Sequence, residues 1–279
     1  MDIQIKLSNG QTLHGIIKSP GENIRAGIIL VHGIGEHIQR YSHWIKKFNE
    51  IGIGVVGVDL PGHGRSEGKR GILNSYTLTD EMIDFLISEF KKTFPGIPVF
   101  IYGHSLGGGI VLQYILQKDP QIKGAIVTSP SLRLAFEPSK FKIVLAGVLK
   151  SIYPSLVQPS GLVVNHISHD KSIVDAYISD PLNHDKISVG LFQSSVAAGL
   201  YALQHAAELK IPLLLMHGSD DMITSPQASR EFASKTNLAE LKIWDGGYHE
   251  LHNETFREDV FTYIEKWIEK QIRIHFINK

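Results

Sequence analysis

Val99-Phe100-Ile101-Tyr102-Gly103-His104-Ser105-Leu106-Gly107-Gly108-Gly109-Ile110-Val111-Leu112-Gln113-Tyr114-Ile115-Leu116 runs from one kind of backbone into another. Its four opening apolar residues suit a strand buried on both faces, and residues 110–116 suit a helix. Between them lies Gly103-His104-Ser105-Leu106-Gly107, a G-x-S-x-G at the point where the chain must reverse. So sharp a turn forces its middle residue into strained backbone angles, and the glycines on either side remove side chains that would collide. Ser105 is therefore expected to hold its hydroxyl over the sheet edge as a nucleophile. The alternative, an ordinary glycine-rich turn, leaves the strand before it and the helix after it unexplained.

Working outward, residues 3–7 and 12–18 alternate apolar with polar and are separated by an Asn9-Gly10 step, which predicts an antiparallel hairpin. Apolar runs at 26–31, 54–58, 125–128 and 211–216 read as further buried strands, with 241–244 the last. Helical spacing appears in Met82-Ile83, Phe85-Leu86 and Phe90 after a candidate Asp80 cap, and again in Phe256, Val260, Ile264 and Trp267-Ile268. Strands alternating with helices predict an α/β protein with a mostly parallel, doubly wound sheet of about eight strands. Residues 131–210 break the alternation and read as an inserted helical cap, leaving 1–130 and 211–279 as one core. Inside the insertion, Phe141, Val144, Leu145, Val148, Leu149 and Ile152 mark one helical face, and Ile143, Ala146 and Gly147 make the other faces nearly apolar. Such a helix needs cover, either by packing on the core or as a cap whose apolar surface lines a substrate tunnel or transiently touches a membrane.

Composition narrows the chemistry. Twenty-eight basic residues balance 28 acidic ones and form no stripe, so nucleic acid is not an expected partner. With no cysteine, disulfides, thiolate metal sites and a cysteine nucleophile are excluded. No secretory signal pattern and no apolar run long enough for a membrane span is seen, so the expected location is cytoplasmic.

A serine hydroxyl is a weak nucleophile without a base and an orienting carboxylate. Two acids, Asp220 and Asp221, follow the run at 211–216, on a loop at the carboxyl end of the sheet. Two histidines, His249 and His252, follow the last strand, where the base should enter. The chain has 14 histidines, so position after that strand, and not residue type, supports His249 as the base, with His252 as the alternative. A tetrahedral intermediate also needs backbone donors. The N–H of Leu106 is one, and the loop His32-Gly33-Ile34-Gly35 offers Ile34 as the second. Residues 59–66 look like a tight structural turn.

These motifs as a set resemble the monoacylglycerol lipase group of the α/β-hydrolases. The resemblance rests on H-G-I-G-E-H at 32–37, D-L-P-G-H-G-R-S-E-G at 59–68, G-H-S-L-G-G at 103–108, S-D-P-L at 179–182, G-S-D-D at 218–221 and Y-H-E-L-H at 248–252. It implies an α/β-hydrolase fold, with the acid on Asp221 and the base on His249. It further implies a polar corner for a glycerol head built from Glu36, Arg40, Tyr177 and His252. For Glu36 with Arg40 the alternative is a helix pair at i,i+4 spacing, and for Tyr177 a brace within the cap.

The expected function is hydrolysis of a single-chain lipid ester, a monoacylglycerol in first place, with a lysophospholipid or a broader range of carboxylic esters as the runner-up. No metal or organic cofactor is needed for such chemistry. Dehalogenases and epoxide hydrolases of this fold use an aspartate at the elbow, so Ser105 argues against both. A non-catalytic binding module on the same scaffold would not need all three of these side chains together with the glycine loop.

Overall fold

The computed structural model describes residues 1–21, 23–73, 76–136 and 153–277, the side chains of 275–277 excepted. The apolar helix expected over residues 141–152 lies outside the described residues.

The opening strands are β1 (Asp2–Lys6), β2 (Thr12–Lys18), β3 (Ala26–Val31) and β4 (Ile53–Val58). They are followed by β5 (Val99–His104), β6 (Gly124–Thr128), a short β7 (Val157–Pro159) and β8 (Lys186–Ser188), β9 (Leu213–Gly218) and β10 (Ala239–Trp244). Eight of them form one sheet in the order β1-β2-β4-β3-β5-β6-β9-β10. β1 pairs antiparallel with β2, and β2 with β4, while every later neighbour is parallel. Burial explains the sequence pattern: β3, β4, β5, β6 and β9 are buried at every position, whereas β10 at the edge is half-buried throughout.

Helices cover both faces. On one side α1 (Ser42–Glu50) and α7 (Arg257–Ile277) bring Trp44, Phe48, Val260, Ile264 and Trp267 against the sheet. On the other, α2 (Tyr76–Thr93) and α3 (Leu106–Lys118) bury Leu86, Phe90, Ile110 and Val111. Asp80 lies inside α2, so it is not the expected cap: the helix begins before it, with Leu78 and Thr79 already buried. Instead, Asp80 pairs with Lys118 of α3 at 3.8 Å.

Between β6 and β9 lie α4 (Lys171–Ser179), the antiparallel pair β7 and β8, and α5 (Val189–His205). α5 packs on α3 and on α6 (Pro226–Ala233), so residues 189–205 belong to the helical layer beside the sheet. α4 sits apart, over a small cluster of Ile167, Val174 and Tyr177 packed with Leu162, Ile173 and Ile223. The strand order leaves the carboxyl ends of β3, β5, β6, β9 and β10 opening toward one edge, and the loops that leave them carry the candidate residues.

Candidate active site

Ser105 sits between β5 and α3 with φ 53° and ψ −117°, a conformation that costs an L-residue strain. The close approach that imposes it is visible at Gly107, where a Cβ would lie 2.2 Å from the Val31 carbonyl oxygen and 2.4 Å from that of His32. The Ser105 N–H donates to the Thr128 carbonyl at 3.0 Å, and its own carbonyl accepts from the N–H groups of Gly109 and Ser131, both at 3.0 Å. The backbone around the hydroxyl is thus fully tied down, which holds the bend in place.

His249, on the turn after β10, sets Nε2 2.9 Å from Ser105 Oγ and Nδ1 2.7 Å from Asp221 Oδ2. Because a carboxylate can only accept, Nδ1 carries the proton and Nε2 is left to accept from the serine hydroxyl. Asp221 is buried. Its Oδ1 accepts from the N–H groups of Ile223 and Thr224 at 2.8 and 3.0 Å, and its Oδ2 also meets His217 Nε2 at 3.0 Å and the Thr224 hydroxyl at 3.0 Å. Burial opposes ionisation of Asp221, but the charge and hydrogen bonds of His249 and His217 outweigh it and hold the carboxyl well below the usual range. The reverse holds at His249: burial pulls its pKa down, yet Asp221 outweighs burial and raises it. The neighbouring Asp220 is exposed and, among the described residues, its carboxylate accepts only from the Ser219 hydroxyl at 2.6 Å, which separates the two acids.

The loop after β3 runs alongside. Gly33 lies so near Ser105 that a Cβ on it would be 3.1 Å from Ser105 Cβ. Its N–H is committed to Glu36 Oε1 at 2.6 Å, an oxygen that also accepts from the Tyr41 hydroxyl at 2.8 Å. Glu36 Oε2 accepts from Arg40 Nη1 at 2.7 Å, and Arg40 also forks onto both oxygens of Glu250 at 2.6 and 2.7 Å. All three charged groups are buried, and although burial works against the guanidinium, Glu250 and Glu36 outweigh it and raise its pKa.

Of the four residues expected at the polar corner, Glu36, Arg40 and Tyr177 engage one another, while His252 packs elsewhere. Arg40 lies 4.7 Å over the Tyr177 ring, whose hydroxyl donates to the Gly35 carbonyl at 3.0 Å. His252 is fully buried, stacked on Tyr41 at 4.5 Å, and burial holds it well below the usual imidazole range. Its ring is enclosed by Tyr41, Trp44 and His104, so it stands behind the site. Residues 59–66 are the structural turn expected: Asp59 accepts from the N–H groups of Ile38 and Arg65, both at 2.8 Å.

Sequence reasoning missed four neighbours. His217 and Thr224 surround the acid, Glu250 completes the buried ion group, and His104 packs its ring 4.9 Å from that of His249 and bonds Thr128 Oγ1 at 3.0 Å. Burial holds His104 well below the usual imidazole range, so it adds no positive charge beside the base. The available signals were the i,i+4 spacing of His217 to Asp221 and the Glu inside Y-H-E-L-H; Arg40 to Glu250 spans 210 residues and left none.

A family described as Hydrolase_4, Serine aminopeptidase, S33, matches residues 22–256. The chain belongs to this family. As an ester hydrolase of the serine α/β-hydrolase kind, it is similar to the monoacylglycerol lipase of Mycolicibacterium smegmatis, 30% identical over 253 residues that span 90% of each chain. The crystal structure of Paleococcus ferrophilus monoacylglycerol lipase superposes with a TM-score of 0.85 at 34% identity, covering 93% of this hydrolase and 99% of that chain. An uncharacterized abhydrolase domain-containing protein of Dictyostelium discoideum is 38% identical over 252 residues, but this hydrolase spans only 26% of its length. Among the described residues, no helix is long and apolar enough to cross a membrane, and no cluster of three or more His, Cys, Asp or Glu could hold a metal ion.

Proposed function

We propose that this hydrolase cleaves carboxylic esters of single-chain lipids through an acyl-enzyme on Ser105, with monoacylglycerol, giving glycerol and a fatty acid, as the best fit. The observation that carries this reading is the line of hydrogen bonds from Ser105 Oγ to His249 Nε2 at 2.9 Å and from His249 Nδ1 to Asp221 Oδ2 at 2.7 Å. Likeness to the monoacylglycerol lipases supports the choice of substrate.

In this mechanism His249 takes the hydroxyl proton as Ser105 Oγ attacks the ester carbonyl, and Asp221 stabilises the imidazolium that forms. The oxyanion is held by the N–H of Leu106, in the first turn of α3 where no helical acceptor exists, and by the N–H of Ile34. Gly33 is excluded from that role because Glu36 already accepts from its N–H. Each such donor contributes on the order of 3 kcal/mol to the transition state. Collapse expels the alcohol oxygen, which takes the proton from His249. Water then attacks the acyl carbonyl as His249 takes its proton, and the second collapse breaks the bond to Ser105 Oγ, which regains the proton from His249 as the fatty acid leaves. The steps need no metal or organic cofactor.

The glycerol head is read as lying on the Glu36 and Arg40 side of the corner that the resemblance implies, beneath a cap built from residues 131–210. The exposed Phe136, Tyr153, Val163 and Ile178 give this region apolar contacts for a transient approach to a lipid surface.

Ser105→Ala is expected to remove turnover of a monoacylglycerol by several orders of magnitude with the fold intact. Activity close to wild type would end the mechanism. A panel of glycerol esters graded in chain length and number of chains, run beside a lysophospholipid, tests the substrate: faster lysophospholipid hydrolysis, or a preference for triacylglycerol, would replace the assignment.

A further inference from the structure

The segment around α4 is bonded to the loops of the site at both of its ends. At its N-terminal end it meets the turn that carries His249. The Glu250 N–H donates to the Ile167 carbonyl at 2.7 Å, the Ser168 hydroxyl donates to the Asn253 carbonyl at 2.8 Å, and Arg257 donates to Asp170 at 2.9 Å. Asp170 is also the residue that caps α4, accepting from the Ser172 N–H. At its C-terminal end the same segment meets the loop that carries Ile34. The Tyr177 hydroxyl and the His184 N–H both donate to the Gly35 carbonyl at 3.0 Å, and Asp180 Oδ2 lies 2.9 Å from His37 Nε2. Gly35 has φ 71°, and a Cβ there would be 2.3 Å from the His184 carbonyl oxygen and 2.9 Å from the Tyr177 hydroxyl. The loop and the end of α4 thus fit together without room for another residue. Ile223, next but one to Asp221, packs into the apolar cluster under α4 and ties in the acid loop as well.

We propose that α4 is a strut that fixes the oxyanion loop relative to His249, and that Tyr177 is a positioning residue for the oxyanion donors and not a ligand for the glycerol head. This rests on reading Ser105, Asp221 and His249 as the triad and residues 33–37 as the oxyanion loop. The chemistry favours it: the single proton of the Tyr177 hydroxyl is already given to a backbone carbonyl one residue from Ile34. Two bonds converging on that carbonyl fix the Gly35–Glu36 peptide, two peptide units from the Ile34 N–H, and so brace the loop that presents that donor.

The test compares wild type with Tyr177→Phe, which keeps the ring over Arg40 and removes only the hydroxyl. Rates are measured on a monoacylglycerol and on the p-nitrophenyl ester of the same acid, which has no glycerol head, and are normalised to the sites labelled by a fluorophosphonate. The expected result is a kcat per labelled site lowered about three- to tenfold on both esters, as loss of one positioning hydrogen bond implies. KM should stay within about twofold, and binding of a trifluoromethyl ketone, whose adduct needs the oxyanion donors, should weaken in the same ratio as kcat. Asp180→Ala, which cuts the contact to His37 at the same end, should reproduce the pattern. A loss confined to the monoacylglycerol overturns the proposal in favour of a glycerol ligand. An unchanged kcat per labelled site on both esters overturns it too, even if fewer sites are labelled. Failure of the underlying triad reading would show separately, as wild-type protein whose Ser105 is not labelled.

Discussion

Replacing Asp221 by asparagine should disable the base by reversing its tautomer. Both carboxylate oxygens accept, so the amide group of an asparagine must face a donor on one side or the other. Oδ1 receives the N–H groups of Ile223 and Thr224 at 2.8 and 3.0 Å, and backbone donors cannot reverse. Oδ2 receives His249 Nδ1, His217 Nε2 and the Thr224 hydroxyl, each of which can turn from donor to acceptor. The amide therefore settles on the Oδ2 side and donates to His249 Nδ1, which moves the imidazole proton to Nε2, where it points at Ser105 and cannot accept the hydroxyl proton. In serine proteases of the same triad this substitution lowers turnover by about 10⁴, so a loss of about 10³ to 10⁴ in kcat is expected here. That corresponds to about 4–5.5 kcal/mol of barrier. The hydrogen bonds are rearranged and not lost, so unfolding in urea should change by less than about 2 kcal/mol. Asp220→Asn is the control: exposed and bonded only to Ser219, it should leave kcat within about twofold. Steady-state kinetics and the rate of fluorophosphonate labelling read both variants. Asp221→Asn retaining more than about a tenth of wild-type kcat, or Asp220→Asn being the more damaging, would refute the reasoning.

The pH profile follows from His249. The base must be neutral to accept a proton, and its pKa is raised, so wild-type kcat/KM should fall on the acid side through a midpoint above the ordinary imidazole value of about 6.5. In Asp221→Asn burial remains while the raising charge is gone, so the midpoint of the residual activity should move to lower pH; a move upward contradicts the assignment. Arg40→Met should destabilise the fold by about 3–5 kcal/mol in urea, because it leaves Glu36 and Glu250 buried without their cation. A change below about 1 kcal/mol would mean that the two carboxylates find other partners.

The sheet was legible because its central strands are buried on both faces: residues 26–31 and 99–102 must then be apolar throughout, in short runs separated by helical patterns. Ser105 was legible because its strained angles demand glycine neighbours, a requirement written in one short stretch. Asp221 was not separable from Asp220 by residue type, since what distinguishes them is burial and convergence on His217 and Thr224. α5 gave no stripe because it packs on α3 and α6 while Val196 and Leu200 remain exposed, so apolar residues appear on every side. β7 and β8, three residues each, are too short for any period to register. Arg40 shows the same limit from the other direction: its spacing to Glu36 reads as a surface pair, and only the arrival of Glu250 makes it the centre of a buried ion group.

The place of α5 limits how the segment between β6 and β9 could be exchanged. Because that helix shares a wall with α3, a chimera cut at residue 210 would carry away part of the foundation together with the roof. The natural seam is Ser188, where the chain leaves the small β7 and β8 pair and caps α5 by accepting from the Leu191 N–H. An exchange there would still take away α4 with its bonds to the Gly35 carbonyl and the Glu250 N–H, so any replacement has to rebuild that bracing if the masonry below is to stay whole.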